Sequence, residues 1–556
     1  ILNMEIQKFS EKVLFEKYAD YSEQRLSGSK LIDALRRRVA VSLASVEKDK
    51  GVWAEKFYEA QVSGLLMGGR INAIAGVDNP SGDTMINCFV QPVSDTLSGY
   101  EDGRAGIFVA LDQAVATMRK GGGVGYDFGY IRPKGAEVGG SYATAAGPVS
   151  YMKIFDSACK SVISKGHRRS AQMGVLPINH PDIREFISAK NNTGILTQFN
   201  LSVAVDDSFM RALKEGDCFQ LVHKAKPSIE LIERGAFMRD DGMWVYEEVD
   251  DPASIWNLIM TKAFRQSEPG VIFVDRINSE NNLQYIEQIG TTNPCGEQPL
   301  PDYGCCCLAS INLSSLVLNP FSMIAPVDNF NWEMFRSVVR TSVRMLDNVL
   351  SVSNWPLNEQ RNEAFGKRRI GLGITCLGSA LILLGLRYDS HEGRQFANKI
   401  AVSLRDEAYL ASVELAKEKG VFPLFSKDQF LNSDFIKRLP VAIQHSIACY
   451  GIRNSHLLSI APAGTISLAL ADNGSSGIEP VFGWQFSRNK RMENGEIKTY
   501  LLEEYAYRLY VKKGGSPDDL PNSFVDAMHV SPEDHLGMVE AFSKYIEGSI
   551  SKTINC

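Results

Sequence analysis

Thr292-Asn293-Pro294-Cys295-Gly296-Glu297-Gln298-Pro299-Leu300 sets an amide, a thiol and a carboxylate on alternate residues. Side chains of an extended segment alternate faces with a period of two, which predicts Asn293, Cys295 and Glu297 on one side. A hydrogen-bond donor, a sulfur centre and a proton acceptor then face one small substrate. Further thiols occur at Cys88 and in the run Cys305-Cys306-Cys307. A thiol pair gives up two electrons by forming a disulfide, which needs Cα atoms roughly 4.4–6.8 Å apart. Adjacent cysteines rarely meet that geometry with each other, so a partner distant in sequence, such as Cys88, is expected. Cys159, Cys218, Cys376 and Cys449 lie in apolar or helical contexts and read as small buried hydrophobes.

Two stretches have the character of backbone-lined sites. Ala461-Pro462-Ala463-Gly464-Thr465-Ile466-Ser467 follows the apolar run Leu457 to Ile460. Its small residues and hydroxyls leave N–H groups free for an anion, and a following helix would add its dipole. An ordinary strand-to-helix turn has the same composition, and the residues alone leave both readings open. Gly121-Gly122-Gly123-Val124-Gly125 reads as a turn, with room at a glycine for close approach.

Holding such groups in register needs a large scaffold. The 556 residues predict one large catalytic domain with attached helical layers. Hydrophobic content of 44% and charged content of 22% are those of a soluble globular enzyme. A net charge of −6 argues against a nucleic-acid-binding face. No apolar run reaches the ~18 residues of a membrane span, and residues 1–17 lack the apolar core of a signal peptide. Ten cysteines are too sparse for a disulfide scaffold, so a reducing cytoplasm is expected. The eight histidines are scattered and predict no protein metal site.

Apolar spacing predicts helices over 29–46, 107–119, 252–265, 335–352 and 394–419, and from Ser531 onward. Asp251-Pro252 is a cap followed by proline at the first helical position, and Gly420 is a stop. Short apolar runs at Cys88-Phe89-Val90 and Val271 to Val274 predict buried strands. Short strands alternating with long helices indicate an α/β fold with a mainly parallel sheet.

Six blocks in order carry a family resemblance. They are Asn87 to Pro92, Gly121 to Asp127 with Ile131 to Gly135, Asn293 to Leu300, Ser310 to Leu313, Arg369 to Gly373, and Ala461 to Pro480. From about Leu31 onward the chain resembles the large catalytic subunit of ribonucleotide reductases, most closely the adenosylcobalamin-dependent (class II) branch. The resemblance implies a ten-stranded α/β barrel of two five-stranded halves, with the Cys295 loop at its centre. Residues 1–75 form a helical N-terminal region and 76–556 the barrel domain, whose C-terminal end is expected to be missing. The additional ATP-binding helical domain of many relatives is also not expected.

The resemblance further implies that Cys295 becomes a thiyl radical and takes the 3′ hydrogen of a ribonucleotide. Glu297 receives the 3′-hydroxyl proton, and Asn293 hydrogen-bonds the sugar. Cys88 and Cys306 supply the electrons that expel the 2′-hydroxyl as water; the partner position rests on counting back from Ser310-Ile311-Asn312-Leu313. Asn87, Gly123 and the loop Pro462, Ala463, Gly464, Thr465 and Ile466 are implied substrate contacts. Asp95, Thr96, Leu97 and Arg132 match positions for a deoxynucleotide or ATP effector, and 165–169 and 190–200 match the loops linking effector to substrate choice. Adenosylcobalamin, a thioredoxin- or glutaredoxin-type reductant and a homodimer are the implied cofactor, partner and assembly. The alternatives are a class I catalytic subunit with a separate metal radical subunit, and a non-catalytic nucleotide-binding regulator. A general thiol oxidoreductase would carry Cys-x-x-Cys, which this chain lacks.

Overall fold

The computed structural model describes residues 5–555 apart from 80, 140, 163–170, 193 and 492–496. Its contacts divide the chain into two compact units. One comprises Cys88–Cys305 with Pro356–Arg361, and the other comprises Ile1–Asn87, Cys306–Trp355 and Asn362–Cys556.

The first unit is built on parallel strands that follow one another across the sheet in chain order. They are Cys88–Val90, Gly123–Asp127, Gln172–Pro177, Phe199–Val205 and Gly270–Phe273. Val90 also donates its N–H to Gly304 O at 3.0 Å, just before Cys305. Parallel neighbours need crossovers, and helices such as Ile107–Arg119, Pro148–Ser161 and Asp207–Glu215 supply them. Tyr126, Phe128, Phe155 and Phe199 interlock in the core at ring separations of 5.1–6.0 Å. The glycine run corrects one expectation. Only Gly121, at φ +96°, turns; Gly123 and Gly125 lie inside a strand.

In the other unit Leu65–Met67 pairs antiparallel with Leu308–Asn312, which runs parallel to Gly371–Thr375. Parallel bridges Leu372↔Leu458 and Ile460↔Ile550 extend the series by two further segments. Helices Lys8–Tyr18, Gly28–Ala44, Lys50–Val62 and Gly69–Ile74 form its N-terminal part. Trp332–Val352 buries Phe335, Val339, Val343, Leu346 and Leu350 completely, the residues whose spacing predicts the helix. His391–Lys419 starts on a Ser390 cap and ends at Gly420, φ +82°. Pro252–Gln266, back in the first unit, has Asp251 accepting the Ala253 N–H.

Apolar spacing does not foretell the charges that the 332–352 helix buries. Arg344 donates to both oxygens of Glu47 at 2.8 Å and also bonds Glu418, while Lys419 and Asn348 reach Glu47 as well. One turn on, Asp347 holds Arg368, Arg453 and Asn454. Burial alone would raise the Glu47 carboxyl, but hydrogen bonds from Arg344, Lys419 and Asn348 outweigh it and hold it at about 2. Its folded pKa is depressed, so its contribution to stability is full above the usual value of 4.5 and is lost as pH falls toward about 2. Glu47→Gln takes away the buried charge shared by Arg344 and Lys419, leaves Arg344 with the half-exposed Glu418 as its anionic partner, and is expected to cost on the order of 3 kcal/mol at pH 7. Calorimetric melting between pH 6 and 3 checks this: the wild-type midpoint falls more steeply with acid than that of the variant.

Candidate functional site

Thr291–Thr292 and Pro299–Leu300 pair antiparallel, so the 293–298 segment is the tip of a hairpin. The tip is a turn, which corrects the expectation of an extended run. Gly296 donates its N–H to Asn293 O at 3.0 Å and has φ +80°, a conformation open to glycine. Asn293, Cys295 and Glu297 therefore do not share one face. Asn293 and Glu297 are buried and Cys295 is exposed at the tip.

Asn293 closes the hairpin. Its Oδ1 accepts the Gln298 N–H at 2.9 Å, and its own N–H donates to Gln298 O at 3.0 Å. Thr292 Oγ1 donates to Asn293 O at 2.9 Å. Two bonds tie the hairpin to the sheet: Thr291 Oγ1 to Tyr126 O at 3.2 Å, and Asn200 Nδ2 to Pro294 O at 2.7 Å.

The glycines at 123 and 125 are what let the hairpin lie on that sheet. A Cβ on Gly125 would overlap the Thr292 carbonyl oxygen. A Cβ on Gly123 would sit 3.0 Å from Pro294 Cγ and 3.5 Å from Cys88 Sγ. Gly123 is also the register partner of Cys88. The buried Cys88 thiol, the bare backbone of Gly123 and the Pro294 ring thus converge on one point. Sequence reading singles out Gly123 but passes over Gly125; the signal for it was the fourth glycine of the same run. It also misses Asp127, whose carboxyl is pushed up to about 6 by burial although it accepts the Gly129 N–H at 2.8 Å.

The remaining expected contacts belong to the other unit. Cys306 is 1% exposed, and Cys307 Sγ donates to Leu346 O at 3.7 Å. Half-buried Asn87 accepts the Arg70 N–H at 3.3 Å. Leu457 to Ile460 joins the sheet and leads into a turn with Ala463 at φ +55°, followed by the helix Gly464–Leu470. Gly464 and Thr465 are exposed, Pro462 and Ala463 half-buried, and Ile466 buried.

Asp95 and Arg132 come together in the first unit. Arg132 donates its backbone N–H and Nε to the two oxygens of Asp95 at 2.7 and 2.8 Å, and its Nη1 to Glu137 O. Burial still raises the Asp95 carboxyl against these donors. Leu97 is exposed nearby in sequence, and Thr96 Oγ1 donates to Ser98 O. Lys190 pairs with Glu268 at 2.7 Å within the 190–200 segment. Residues 165–169 and Cys556 lie outside the described residues. Cys159 and Cys376 are buried as expected, whereas Cys218 and Cys449 are exposed. Cys218 sits just past a helix end, and Cys449 lies on the outer side of Val441–Tyr450.

Exposure makes a testable ranking. Brief treatment with iodoacetamide is expected to label Cys218, Cys295 and Cys449 at least tenfold faster than Cys88 and Cys305 to Cys307, as read by peptide mass mapping. Gly125→Ala is expected to push the hairpin off the sheet and bring Cys88 into the fast-labelled group. Unchanged labelling in that variant would contradict the packing described.

A family model described as ribonucleotide reductase, barrel domain, matches residues 86–556. The chain is 32% identical to a vitamin B12-dependent ribonucleoside-diphosphate reductase of Mycobacterium tuberculosis, over 98% of this chain and 74% of that protein. A protein of the same name from Thermoplasma acidophilum is 33% identical over 84% of this chain and 57% of its own length. The ribonucleoside-diphosphate reductase large subunit of Caenorhabditis elegans is 25% identical over 85% of the chain and 63% of that protein.

Proposed function

The chain belongs to the ribonucleotide reductase family, and from that membership we propose that it reduces ribonucleoside diphosphates to 2′-deoxyribonucleotides with adenosylcobalamin as radical source. One observation carries the assignment of roles: the exposed Cys295 thiol tips a hairpin whose next residue back, Pro294, packs over Gly123 beside buried Cys88. The Mycobacterium tuberculosis and Thermoplasma acidophilum relatives named vitamin B12-dependent share 32–33% identity with the chain, while Streptomyces proteins named B12-dependent share 24–26% and the nematode large subunit 25%; the first two support the cobalamin reading.

An exposed thiol on a rigid turn suits exchange of a hydrogen atom with an external cofactor, and the chemistry fits the residue. Adenosylcobalamin, when bound, would supply the radical chemistry, and Cys295 would be the thiol that gives up its hydrogen atom to it. The Cys295 thiyl then takes hydrogen from C3′ of the ribose, and Glu297 accepts the 3′-hydroxyl proton. Asn293 holds the turn and thereby the direction of Cys295. Cys88 and Cys306 together provide two electrons and two protons: their sulfurs join as a disulfide, the C2′–O bond breaks, and the oxygen leaves as water. One thiol proton leaves in the water and the other ends on C2′; Cys295 returns a hydrogen atom to C3′, and Glu297 returns the proton to the 3′ oxygen. An external dithiol of the thioredoxin or glutaredoxin class reduces the disulfide before the next cycle. Burial of Cys88, Cys305, Cys306 and Cys307 protects them from adventitious oxidation between turnovers.

The substrate phosphates are assigned to the 462–466 turn, and Asp95 to Leu97 with Arg132 to a nucleotide effector. Closure of the two sheets into a ten-stranded barrel, a helical N-terminal region, a homodimer and a cytoplasmic location complete the reading. The nine described cysteines are all free thiols, which suits a reducing compartment. Among the described residues no helix is long and apolar enough to cross a membrane.

Cys295→Ala is expected to lower turnover of ribonucleoside diphosphate at least 10³-fold while nucleotide Kd stays within twofold, since it removes the radical position and little volume. Cys88→Ser is expected to stop multiple turnover with a dithiol. Assays with and without adenosylcobalamin, read by deoxynucleotide formation, decide the cofactor; equal rates in both would reject cobalamin dependence.

A further inference from the structure

The Gly371–Thr375 strand ends in a side chain that none of the assigned roles uses. Thr375 is fully buried. Its Oγ1 lies 2.7 Å from Ser467 Oγ, accepts the Gly477 N–H at 3.0 Å, and is 3.3 Å from Ser475 O. Ser467 in turn donates Oγ–H to Ala463 O at 2.8 Å, and its N–H bonds the same oxygen at 2.9 Å. Since Ser467 spends its only hydroxyl proton on Ala463, the single Thr375 proton goes to Ser467 Oγ or to Ser475 O, and in either case Thr375 accepts the Gly477 N–H. Three separate segments thus hang on one hydroxyl: the strand end, the 463–467 turn and the 475–477 segment.

The turn needs such a node. Ala463 is held at φ +55°, a conformation that costs a residue with a Cβ about 1 kcal/mol or more unless its surroundings enforce it. Gly477, at φ +51°, would place a Cβ 2.8 Å from Ala461 O, so the 475–477 segment lies directly against the start of the turn. Each of these constraints is met only while the polar groups between them are paired, because an orphaned buried donor costs more than the bond it loses.

We propose that Thr375 is the positioning residue of the 462–466 turn: its hydroxyl holds Ala463 and the backbone N–H groups after it in the arrangement that binds the substrate's phosphates. This rests on the phosphate reading of that turn. Thr375 touches no substrate. It acts through Ser467 and the Gly477 N–H.

Binding of inorganic pyrophosphate, measured by titration calorimetry on the full chain, reads the turn without requiring turnover. Thr375→Val keeps shape and removes the hydroxyl; it is expected to raise pyrophosphate Kd and substrate KM about tenfold while kcat stays within about twofold, since phosphate contacts act equally on ground and transition states. Thr375→Ser is expected to restore both within about twofold. Ile259→Ala, in the Pro252–Gln266 helix of the first unit, serves as a matched loss of stability: it removes buried volume away from the Gly371–Thr375 strand and is expected to lower Tm without moving Kd. Wild-type Kd and KM in Thr375→Val, or failure of serine to rescue, would overturn the assignment. Gly464→Asp separates the two claims, because a Cβ there meets nothing nearer than Ser476 Oγ at 3.8 Å, so the variant adds negative charge without a clash. If Gly464→Asp abolishes pyrophosphate binding and Thr375→Val leaves it unchanged, the positioning role falls and the phosphate reading stands. If neither variant alters it, the phosphate reading itself falls.

Discussion

The Thr292 carbonyl lies where a side chain on Gly125 would be, and the layout around Cys295 follows from that contact. Two backbones approach this closely only where one of them carries no Cβ. The approach presses Pro294 against Gly123 beside Cys88, and it lets Thr291 and Asn200 fasten the hairpin to the sheet. With the stem so fastened, the short tip has little freedom, and the Cys295 thiol projects from a defined base rather than from a loose loop.

The hairpin also divides labour between polar side chains in a way that residue type does not reveal. Asn293 spends its carbonyl oxygen on the Gln298 N–H and so is first a closing clamp of the turn. Removing it would leave that buried N–H without an acceptor, a cost of about 1–3 kcal/mol. A loss of activity on changing Asn293 therefore mixes hairpin geometry with any contact to substrate. The same caution holds for Arg132, which fixes Asp95 through two hydrogen bonds before any ligand arrives. A ligand that uses either group must offer at least as good a partner.

In the other unit, stability and site are built from buried polar groups rather than from apolar packing alone. Glu47, Arg344 and Asp347 set charges inside the helical layer, each with several partners. The Thr375 and Ser467 hydroxyls do the same on a smaller scale under the 462–466 turn. Such networks specify geometry strictly, because any shift breaks several bonds at once in a medium of low dielectric. Cys376, next to Thr375, shows the character of that environment: burial pushes its thiol up to about 12, which leaves it inert.

The sequence by itself determined the helices whose apolar stripes repeat every three or four residues, with Ile107–Arg119 matching at both ends. It also determined the α/β class, the Cys88–Val90 strand and the identity of the family, because these depend on local periodicity or on motif order. Tertiary structure alone decided that Gly123 and Gly125 belong to a strand, that Asn293, Cys295 and Glu297 separate in burial, and that Cys449 faces outward. It likewise decided that a helix read as apolar buries Arg344 and Asp347. The physical reason is common to all of these. A glycine's meaning, a side chain's exposure and a buried charge's tolerance depend on which distant backbone or partner arrives beside it, and no local pattern of residues encodes that arrival.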